Sequence, residues 1–334
     1  MGTVTPLLTP ALLTAALLSV NVAASANHDA ATSNASSPAY TDAAASSASS
    51  PVRANDDATD PSAFRLAQIN SNAAPSNAAS TEDPDENAPA ERASRWHALQ
   101  QALFPGRALK DGAGIIKLDA PPRALDAALV PIAIDLSNVK PIKSVYVVID
   151  GNPSPLAAHF TFGPKADPHS LKMRVRVDRY TDMHAIAESQ DGQLFVATKF
   201  VKASGGCSAP AGADDTAALA DIGRMKLHLI GDFVAGKPEQ AVLMVRHPNF
   251  NGMQMNQITR YYTPPRFIRS IDATYEGGSV FHLDSDISMS TDPVITFGFV
   301  PQAKGQLKIV VHDSKDATFD HSFDVPGNTT APGA

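Results

Sequence analysis

The sequence predicts an all-β protein with two antiparallel β-sandwich domains, preceded by a signal peptide and a disordered tether. Three observations lead to this prediction. Aromatic residues make up only 6% of the 334 residues and fall almost entirely after Arg95. Beyond that point, short segments alternate apolar and polar side chains with a period of two, which is the pattern of half-buried strands. Turn residues separate these segments at regular spacing, with no helical repeats between them.

Residues 1–26 predict a cleaved signal peptide. Leucines and alanines form an apolar run, and Ala24-Ser25-Ala26 then offers the small side chains that a signal peptidase accepts. The competing interpretation is an uncleaved apolar helix. Pro6, Pro10 and the modest length of the run argue against a membrane span. We therefore predict an exported protein whose mature form has no membrane span.

Residues 27–92 predict a disordered tether. Ala, Ser, Asn, Asp and Pro dominate this segment, and its only aromatic residues are Tyr40 and Phe64. Such a composition cannot bury enough apolar surface to offset the entropy of ordering the chain. A tether behind a signal peptide suits a protein held near a membrane or partner, and low-complexity filler is equally compatible with the composition.

The first predicted domain, residues 93–203, opens with a short amphipathic helix that Pro105-Gly106 ends. Strands follow, and in one of them Lys172, Arg174 and Arg176 alternate with apolar residues, which places these three cations on the polar face. The apolar face of the predicted helix carries Trp96, Leu99, Ala102 and Leu103. The predicted strands are Gly114–Leu118, Val130–Leu136, Ser144–Asp150, His159–Phe162, Leu171–Val177, Met183–Ser189 and Gln193–Val201.

The second predicted domain spans residues 223–326, and residues 327–334 form a tail. Gly231-Asp232, Gly277-Gly278 and Lys315-Asp316 supply turns between its strands. Each domain has roughly 100 residues, which is a common domain size. The predicted strands are Arg224–Ile230, Gln240–His247, Ile268–Tyr275, Gly278–Leu283, Val294–Phe299, Gln306–His312 and Thr318–Val325.

Residues 204–222 join the domains and carry the only cysteine of the chain, Cys207. The surrounding residues are small, so we predict a flexible glycine arm formed by Gly205, Gly206 and Ser208 that exposes the thiol to solvent. A single cysteine cannot form an internal disulfide, so the thiol is free, paired between molecules or modified. The competing interpretation is a buried, inert cysteine that serves as a small apolar residue.

Charge and motif content argue against several functional classes. The formal net charge of −7 disfavours nucleic-acid binding, which needs a basic face. The ten histidines show no zinc-site spacing, and the next histidine after Cys207 is His228, too far for a blue-copper pattern. The sequence has neither a phosphate-binding glycine loop nor a nucleophile elbow. We therefore predict no metal, no cofactor and no catalytic residue.

Several motifs resemble the SoxYZ sulfur-oxidation carriers in order and spacing, in particular the fused SoxYZ-like proteins associated with quinoprotein dehydrogenases. The resemblance covers most of residues 95–325. In the first domain it is carried by Val130-Pro131-Ile132, Asp150-Gly151-Asn152-Pro153-Ser154-Pro155, Arg174-Val175-Arg176 and Gly205-Gly206-Cys207. In the second it is carried by His247-Pro248, Asn251-Gly252-Met253, Pro265-Arg266-Phe267-Ile268 and Ser290 to Pro293.

The resemblance implies immunoglobulin-like sandwiches that pair within one chain, and a periplasmic location. It also implies that Cys207 is the covalent attachment point for a sulfur-type cargo, presented to Sox-type enzymes or to a quinoprotein dehydrogenase and cytochrome c. Free-standing SoxY proteins carry this cysteine at the C-terminus. Cys207 is internal, so its arm is tied at both ends and sweeps a smaller volume.

An alternative function is a non-catalytic scaffold that docks a periplasmic dehydrogenase. Tyr261, Tyr262 and Pro265 lie in one loop, and rigid aromatic side chains are frequent partner contacts. The competing interpretation is that this loop packs on its own sandwich or on the first domain. A stand-alone enzyme is the weakest alternative, because the sequence offers no base or cofactor site that could activate Cys207.

Overall fold

The computed structural model describes residues 88–137, 139–210 and 215–326. The predicted signal peptide, the predicted tail and the tether up to residue 87 lie outside the described residues, as do residues 211–214 of the predicted linker. No helix in the described part of the chain has the length and apolar character needed to cross a membrane.

The first described element is helix α1 (Pro89–Leu103), which begins within the segment predicted as tether. Trp96, Leu99 and Leu103 pack against a small apolar cluster on the first domain, whereas Ala102 is exposed, so its assignment to the buried face is wrong. The Trp96 ring stacks on the His184 imidazole with ring centroids 3.6 Å apart. These contacts hold the helix on the outer face of a sheet.

The first domain contains eight strands. The short first strand was not predicted: it has only three residues and pairs in parallel with β8, so it shows no alternation of its own. The strands are β1 (Leu109–Asp111), β2 (Ile116–Asp119), β3 (Val130–Leu136), β4 (Ile142–Ile149), β5 (Leu156–Phe162), β6 (Ala166–Val175), β7 (Thr181–Ser189) and β8 (Leu194–Val201).

The second domain begins after the short helix α2 (Asp215–Ala220) and contains seven strands. Burial alternates in some of them, with every second side chain in the core, as in β10 and β14. The strands are β9 (Met225–Ile230), β10 (Glu239–Val245), β11 (Ile268–Tyr275), β12 (Gly278–Ser285), β13 (Val294–Phe299), β14 (Gly305–Asp313) and β15 (Thr318–Val325).

The strands form two sheets, and both sheets run through both domains. The nine-stranded sheet has the order β1-β8-β7-β4-β5-β12-β11-β14-β15, and the six-stranded sheet has the order β2-β3-β6-β13-β10-β9. The domains meet where β5 pairs with β12 and β6 pairs with β13, both antiparallel. The predicted pair of immunoglobulin-like β-sandwiches is confirmed, and the two sandwiches join edge to edge.

Apolar side chains from both domains form one continuous core between the sheets. Core residues on either side of the junction, such as Phe160 and Phe281, contact each other with ring centroids 5.7 Å apart. A rigid junction of this kind fixes loops of the second domain against loops of the first. At the end of the junction, the loop after β10 approaches the segment that follows β8.

Candidate functional site

Cys207 lies in a tight turn that follows β8. The backbone N–H of Ala209 donates to the Gly205 carbonyl oxygen at 3.0 Å, and the Ser208 hydroxyl donates to the same oxygen at 3.2 Å. Ser204, Ser208 and Pro210 are exposed, but the Cys207 side chain points inward and its residue is 0% exposed. The cysteine is therefore buried within a turn that itself lies at the protein surface.

The predicted exposure of the thiol is wrong for this conformation. We call residues 204–210 the cysteine arm, and the arm is hydrogen-bonded to both domains. On the first-domain side, the N–H of Gly205 donates to the Asp178 carbonyl at 2.8 Å, and the N–H of Gly206 donates to the Val177 carbonyl at 2.9 Å. The arm is closed because backbone pairing, rather than solvent, satisfies its donors.

Glycine is required at positions 205 and 206 for two different structural reasons. Gly205 adopts φ of +79°, a left-handed conformation that side chains other than glycine adopt at a cost. Gly206 has no such φ, but a Cβ there would lie 2.0 Å from the Ala127 carbonyl oxygen and 2.6 Å from that of Val177. Only glycine lets the arm approach this backbone so closely, so the pair serves the closed conformation as well as any flexibility.

Two side-chain amides of the second domain complete the closure. Asn251 Nδ2 donates to the Cys207 carbonyl oxygen at 2.6 Å, and Gln254 Nε2 donates to the Ala209 carbonyl oxygen at 3.0 Å. Both amides are buried, and the N–H of Asn251 also donates to Gln254 Oε1 at 3.2 Å. We call Asn251 and Gln254 the latch, because they bridge from the second domain to the arm.

Arg176 lies beneath the arm and is 1% exposed. Its Nη1 donates to the Gly206 carbonyl oxygen at 3.2 Å, and its Nη2 donates to Thr291 Oγ1 at 2.6 Å. Strand β6 ends at Val175, so the alternation that placed Arg176 on the polar face stops before it reaches this residue. The predicted exposed position of Arg176 is therefore wrong.

The electrostatic surroundings keep the thiol protonated. Burial raises the pKa of Cys207 to about 12, and Asp178 raises it further, while the nearby Arg176 charge opposes both effects. The buried thiolate is costly because the protein interior solvates charge poorly. At neutral pH the closed arm thus holds a neutral and unreactive thiol, since the thiolate is the nucleophile.

The loops beneath the arm form a polar network that spans both domains. Asn152 Nδ2 donates to the Arg176 carbonyl oxygen at 2.7 Å and to Ser288 Oγ at 2.9 Å. Asn152 Oδ1 accepts from the N–H of Asp178 at 2.9 Å. Thr291, which receives the Arg176 hydrogen bond, donates in turn to the Pro248 carbonyl at 2.9 Å. Motifs that are far apart in the sequence therefore converge on Cys207.

His247 lies at the start of the loop that carries the latch. Burial lowers its pKa to about 4, although Asp313 raises it, so the imidazole is neutral at neutral pH. Its Nδ1 accepts a hydrogen bond from the N–H of Asn249 at 3.1 Å. Across residues 88–137, 139–210 and 215–326, no group of three or more His, Cys, Asp or Glu residues is placed to hold a metal ion.

The loop residues predicted as partner contacts lie at the tip of the same loop. Tyr261 is 77% exposed and Tyr262 is 64% exposed, and neighbouring Ile258 is 77% exposed. Pro265 is also exposed and lies beside Gly252. The tyrosines are exposed, so this loop holds the buried amides of Asn251 and Gln254 against the arm and leaves Ile258, Tyr261 and Tyr262 in solvent.

Sequence reasoning identified Cys207 but assigned no role to Arg176, Asn251 or Gln254. Arg176 and Asn251 fall within motifs that carry the SoxYZ resemblance, and this was the only available signal for them. Hydrogen bonds from Asn251 and Gln254 to the arm span 44 and 45 positions of sequence. No local pattern reports such contacts, since they depend on how the two domains dock.

Comparison with protein-family models gives two matches. Residues 100–207 match the model described as sulfur oxidation protein SoxY, and residues 231–324 match the model described as sulphur oxidation protein SoxZ. The SoxY match ends at Cys207. The two models together cover more than half of the chain. No curated protein matches it.

Comparison with solved structures includes the sulfur carrier protein SoxY from Chlorobium limicola f thiosulfatophilum, with 23% identity over 35% of this chain and 99% of that chain, and a TM-score of 0.31. It also includes a superoxide reductase (neelaredoxin) from Ignicoccus hospitalis, with 15% identity over 32% of this chain and 86% of that chain, and a TM-score of 0.25.

The chain belongs to the SoxYZ family in its fused form, with a SoxY domain followed by a SoxZ domain in one polypeptide. These two families indicate a sulfur-carrier function.

Proposed function

We propose that this fused SoxYZ protein is a periplasmic carrier that holds a sulfur-type intermediate covalently on Cys207 and presents it to partner oxidising enzymes. The observation that carries the proposal is the position of Cys207. It is the only cysteine of the chain, it lies where the SoxY match ends, and it sits in a surface turn rather than in a strand. A turn can detach without disrupting a sheet, so this sulfur can become accessible while both sandwiches stay folded.

In this proposal the closed arm is the resting state, and function requires it to open. Five hydrogen bonds to the rest of the protein would break: two from the glycine N–H groups, one from Arg176 and two from the latch. At about 1 kcal/mol net for each, opening costs on the order of 5 kcal/mol. Roughly one molecule in several thousand would then be open without a partner.

Closure has a functional rationale under this proposal. An exposed thiolate reacts with oxidants and with other thiols, whereas a buried neutral thiol does not. The closed arm would protect the empty carrier between cycles. A partner enzyme would stabilise the open arm by binding it, so that the sulfur is offered only within a complex.

The proposed location and partners follow from the SoxYZ family and the N-terminal sequence. We infer export to the periplasm by the predicted signal peptide, residues 1–26. The partners are Sox-type enzymes, or a quinoprotein dehydrogenase with cytochrome c. The paired SoxY and SoxZ domains present the arm at their junction, which supports a partner that contacts both domains.

The test is the mass of the protein isolated from its native host without reductant. Intact-protein mass spectrometry should show a fraction with added sulfur-containing mass that is lost on reduction, and peptide mapping should place it on Cys207. A Cys207→Ser variant expressed in the same host is the control and should carry no adduct. A wild-type protein with only an unmodified thiol under conditions where the host oxidises its substrate would contradict the proposal.

A second candidate function is the scaffold that docks a dehydrogenase through its surface. The exposure of Ile258, Tyr261 and Tyr262 favours it, since apolar side chains of this size are often buried by a partner. If docking alone is the function, Cys207→Ser leaves pathway activity in the host unchanged, and a Tyr261→Ser, Tyr262→Ser variant abolishes it. The carrier proposal requires loss of activity in Cys207→Ser.

A further inference from the structure

Arg176 is a buried cation without a carboxylate partner. Its hydrogen bonds go to a backbone carbonyl and to a hydroxyl, and its buried Nε–H donates to no partner. No salt bridge involves Arg176 within the described ranges. Buried charges are normally paired, because an unpaired one loses its hydration without compensation. A fully buried guanidinium with an unused N–H therefore points to an anion as its partner.

The nearby acidic groups do not supply this anion. Asp126 is exposed and accepts a hydrogen bond from the N–H of Ala128 at 2.8 Å. The carboxylate of Asp178 lies 3.9 Å from the Arg179 guanidinium. Burial lowers the pKa of Arg176, while the negative charges of Cys207, when ionised, and Asp126 raise it. Among the charged groups that shift the pKa of Arg176, the Cys207 sulfur is the one whose charge changes during a carrier cycle.

We propose that Arg176 is a positioning residue that stabilises negative charge on the Cys207 sulfur and on anionic cargo attached to it. The guanidinium already holds the arm through the Gly206 carbonyl, one residue before the cysteine. The inference rests on the proposed carrier function of Cys207. It adds a selectivity: sulfur adducts that end in an anionic group are favoured over neutral or cationic adducts of similar size.

The charge preference can be measured with two reagents of similar size and opposite charge. Sulfonatoethyl methanethiosulfonate is anionic, and trimethylammonioethyl methanethiosulfonate is cationic. In both reactions the Cys207 thiolate attacks the divalent sulfur of the reagent. A new S–S bond forms, the S–S bond of the reagent breaks, and methanesulfinate leaves with the electron pair. The thiol proton passes to buffer, so no oxidant is required.

The quantity compared is the rate constant for the anionic reagent divided by the rate constant for the cationic reagent. The same ratio is measured for a small neutral thiol and serves as the reference. Arm opening precedes both reactions, so its equilibrium cancels from the ratio. The net charge of −7 would favour the cationic reagent if Arg176 had no role. We expect the wild-type ratio to exceed that of the small thiol.

The substitution Arg176→Gln should lower this ratio about tenfold, the size expected for loss of one nearby, partly solvated charge. Arg176→Lys, which keeps the charge, should restore most of it. Arg174→Gln is the matched control, since it removes the same charge from an exposed position two residues earlier and should leave the ratio unchanged.

Equal ratios in wild type and Arg176→Gln would overturn the inference, as would an equal fall in Arg174→Gln. If Arg176→Gln does not fold, the wild-type ratio alone decides, because a value below that of the small thiol contradicts the inference. Failure of the carrier proposal gives a different result. In that case both reagents can still show the charge preference, but the host-isolated protein carries no adduct on Cys207.

Discussion

The two domains hold the cysteine arm in different ways. The SoxY domain offers a seat made mainly of backbone, where the carbonyls of Val177 and Asp178 accept from the two glycine N–H groups. The SoxZ domain offers two side-chain amides, Asn251 and Gln254, from the loop that follows β10. The seat depends on close backbone approach and the latch on side chains that a loop movement can withdraw.

This difference suggests a division of roles. Backbone pairing in the seat returns the arm to one position, because the accepting carbonyls of Val177 and Asp178 lie only two and three residues after the end of β6. The latch belongs to the loop whose tip exposes Ile258, Tyr261 and Tyr262 to solvent. A partner that binds these exposed side chains would act on the same loop that holds the arm. Substitutions in the seat and in the latch should therefore separate the two contributions.

The largest effect is expected in the seat. Gly206→Ala places a methyl group against the Ala127 carbonyl, which the closed arm cannot accommodate, and overpacking of this kind costs up to about 3 kcal/mol. We expect iodoacetamide to alkylate Cys207 about 100-fold faster than in wild type, with an unchanged melting temperature of the sandwiches. Gly205→Ala is the control. It meets only strain from its positive φ, of about 1 kcal/mol, and should accelerate alkylation about fivefold. Equal alkylation rates in Gly206→Ala and Gly205→Ala would contradict the claim that the close backbone approach at Gly206 holds the arm closed.

A smaller effect is expected in the latch. Asn251→Ala removes the donor to the Cys207 carbonyl and should raise the alkylation rate about tenfold, with about 30-fold for the double variant Asn251→Ala, Gln254→Ala. Gln257→Ala is a suitable control in the same loop, because its amide donates to Met255 rather than to the arm. If the latch variants alkylate at the wild-type rate, the SoxZ domain does not hold the arm closed.

The response to pH should be similar in size to that of the single latch substitution. Burial raises the pKa of Cys207 to about 12 in the closed arm, whereas the open arm has an ordinary thiol pKa. At a pH between these two pKa values, the closed arm keeps the thiol proton and the open arm loses it. Closure is fully favoured below the ordinary pKa and weakens as pH rises through that window. Between pH 9 and pH 10 the alkylation rate should rise about tenfold, whereas a free thiol near pKa 8.5 has almost reached its plateau. A plateau at pH 9 would show that the thiol is not buried.

Much of the fold was predictable because short apolar segments are separated by turn residues and several of them, such as β3, alternate apolar and polar side chains. The bounds of β3, β11, β13 and β15 coincide with the predicted segments. The joined sheets were not predictable. The β5–β12 and β6–β13 pairs link residues more than a hundred positions apart, and alternation reports which face is buried without reporting which strand lies alongside.

The candidate site was predicted only in part. Cys207 and its glycines stand out because small residues surround a single cysteine, but the same composition suggested exposure. The arm is covered by Arg176 of the SoxY domain and by Asn251 and Gln254 of the SoxZ domain, and the two amides reach it only after the domains dock. Gly206 shows the ambiguity most clearly, since the absence of a side chain permits both a mobile chain and an unusually close backbone contact.

The central claim is that Cys207 is enclosed by an arm that opens locally while the sandwiches remain folded. The direct measurement is the rate at which iodoacetamide alkylates Cys207 in the native protein, followed by mass spectrometry at several urea concentrations below the unfolding transition. We predict a rate on the order of a thousandfold below that of the unfolded chain, and nearly independent of urea. A rate equal to that of the unfolded chain would contradict the closed arm. A rate that rises about fivefold or more for each molar of urea would show that only global unfolding exposes the sulfur, and would contradict local opening.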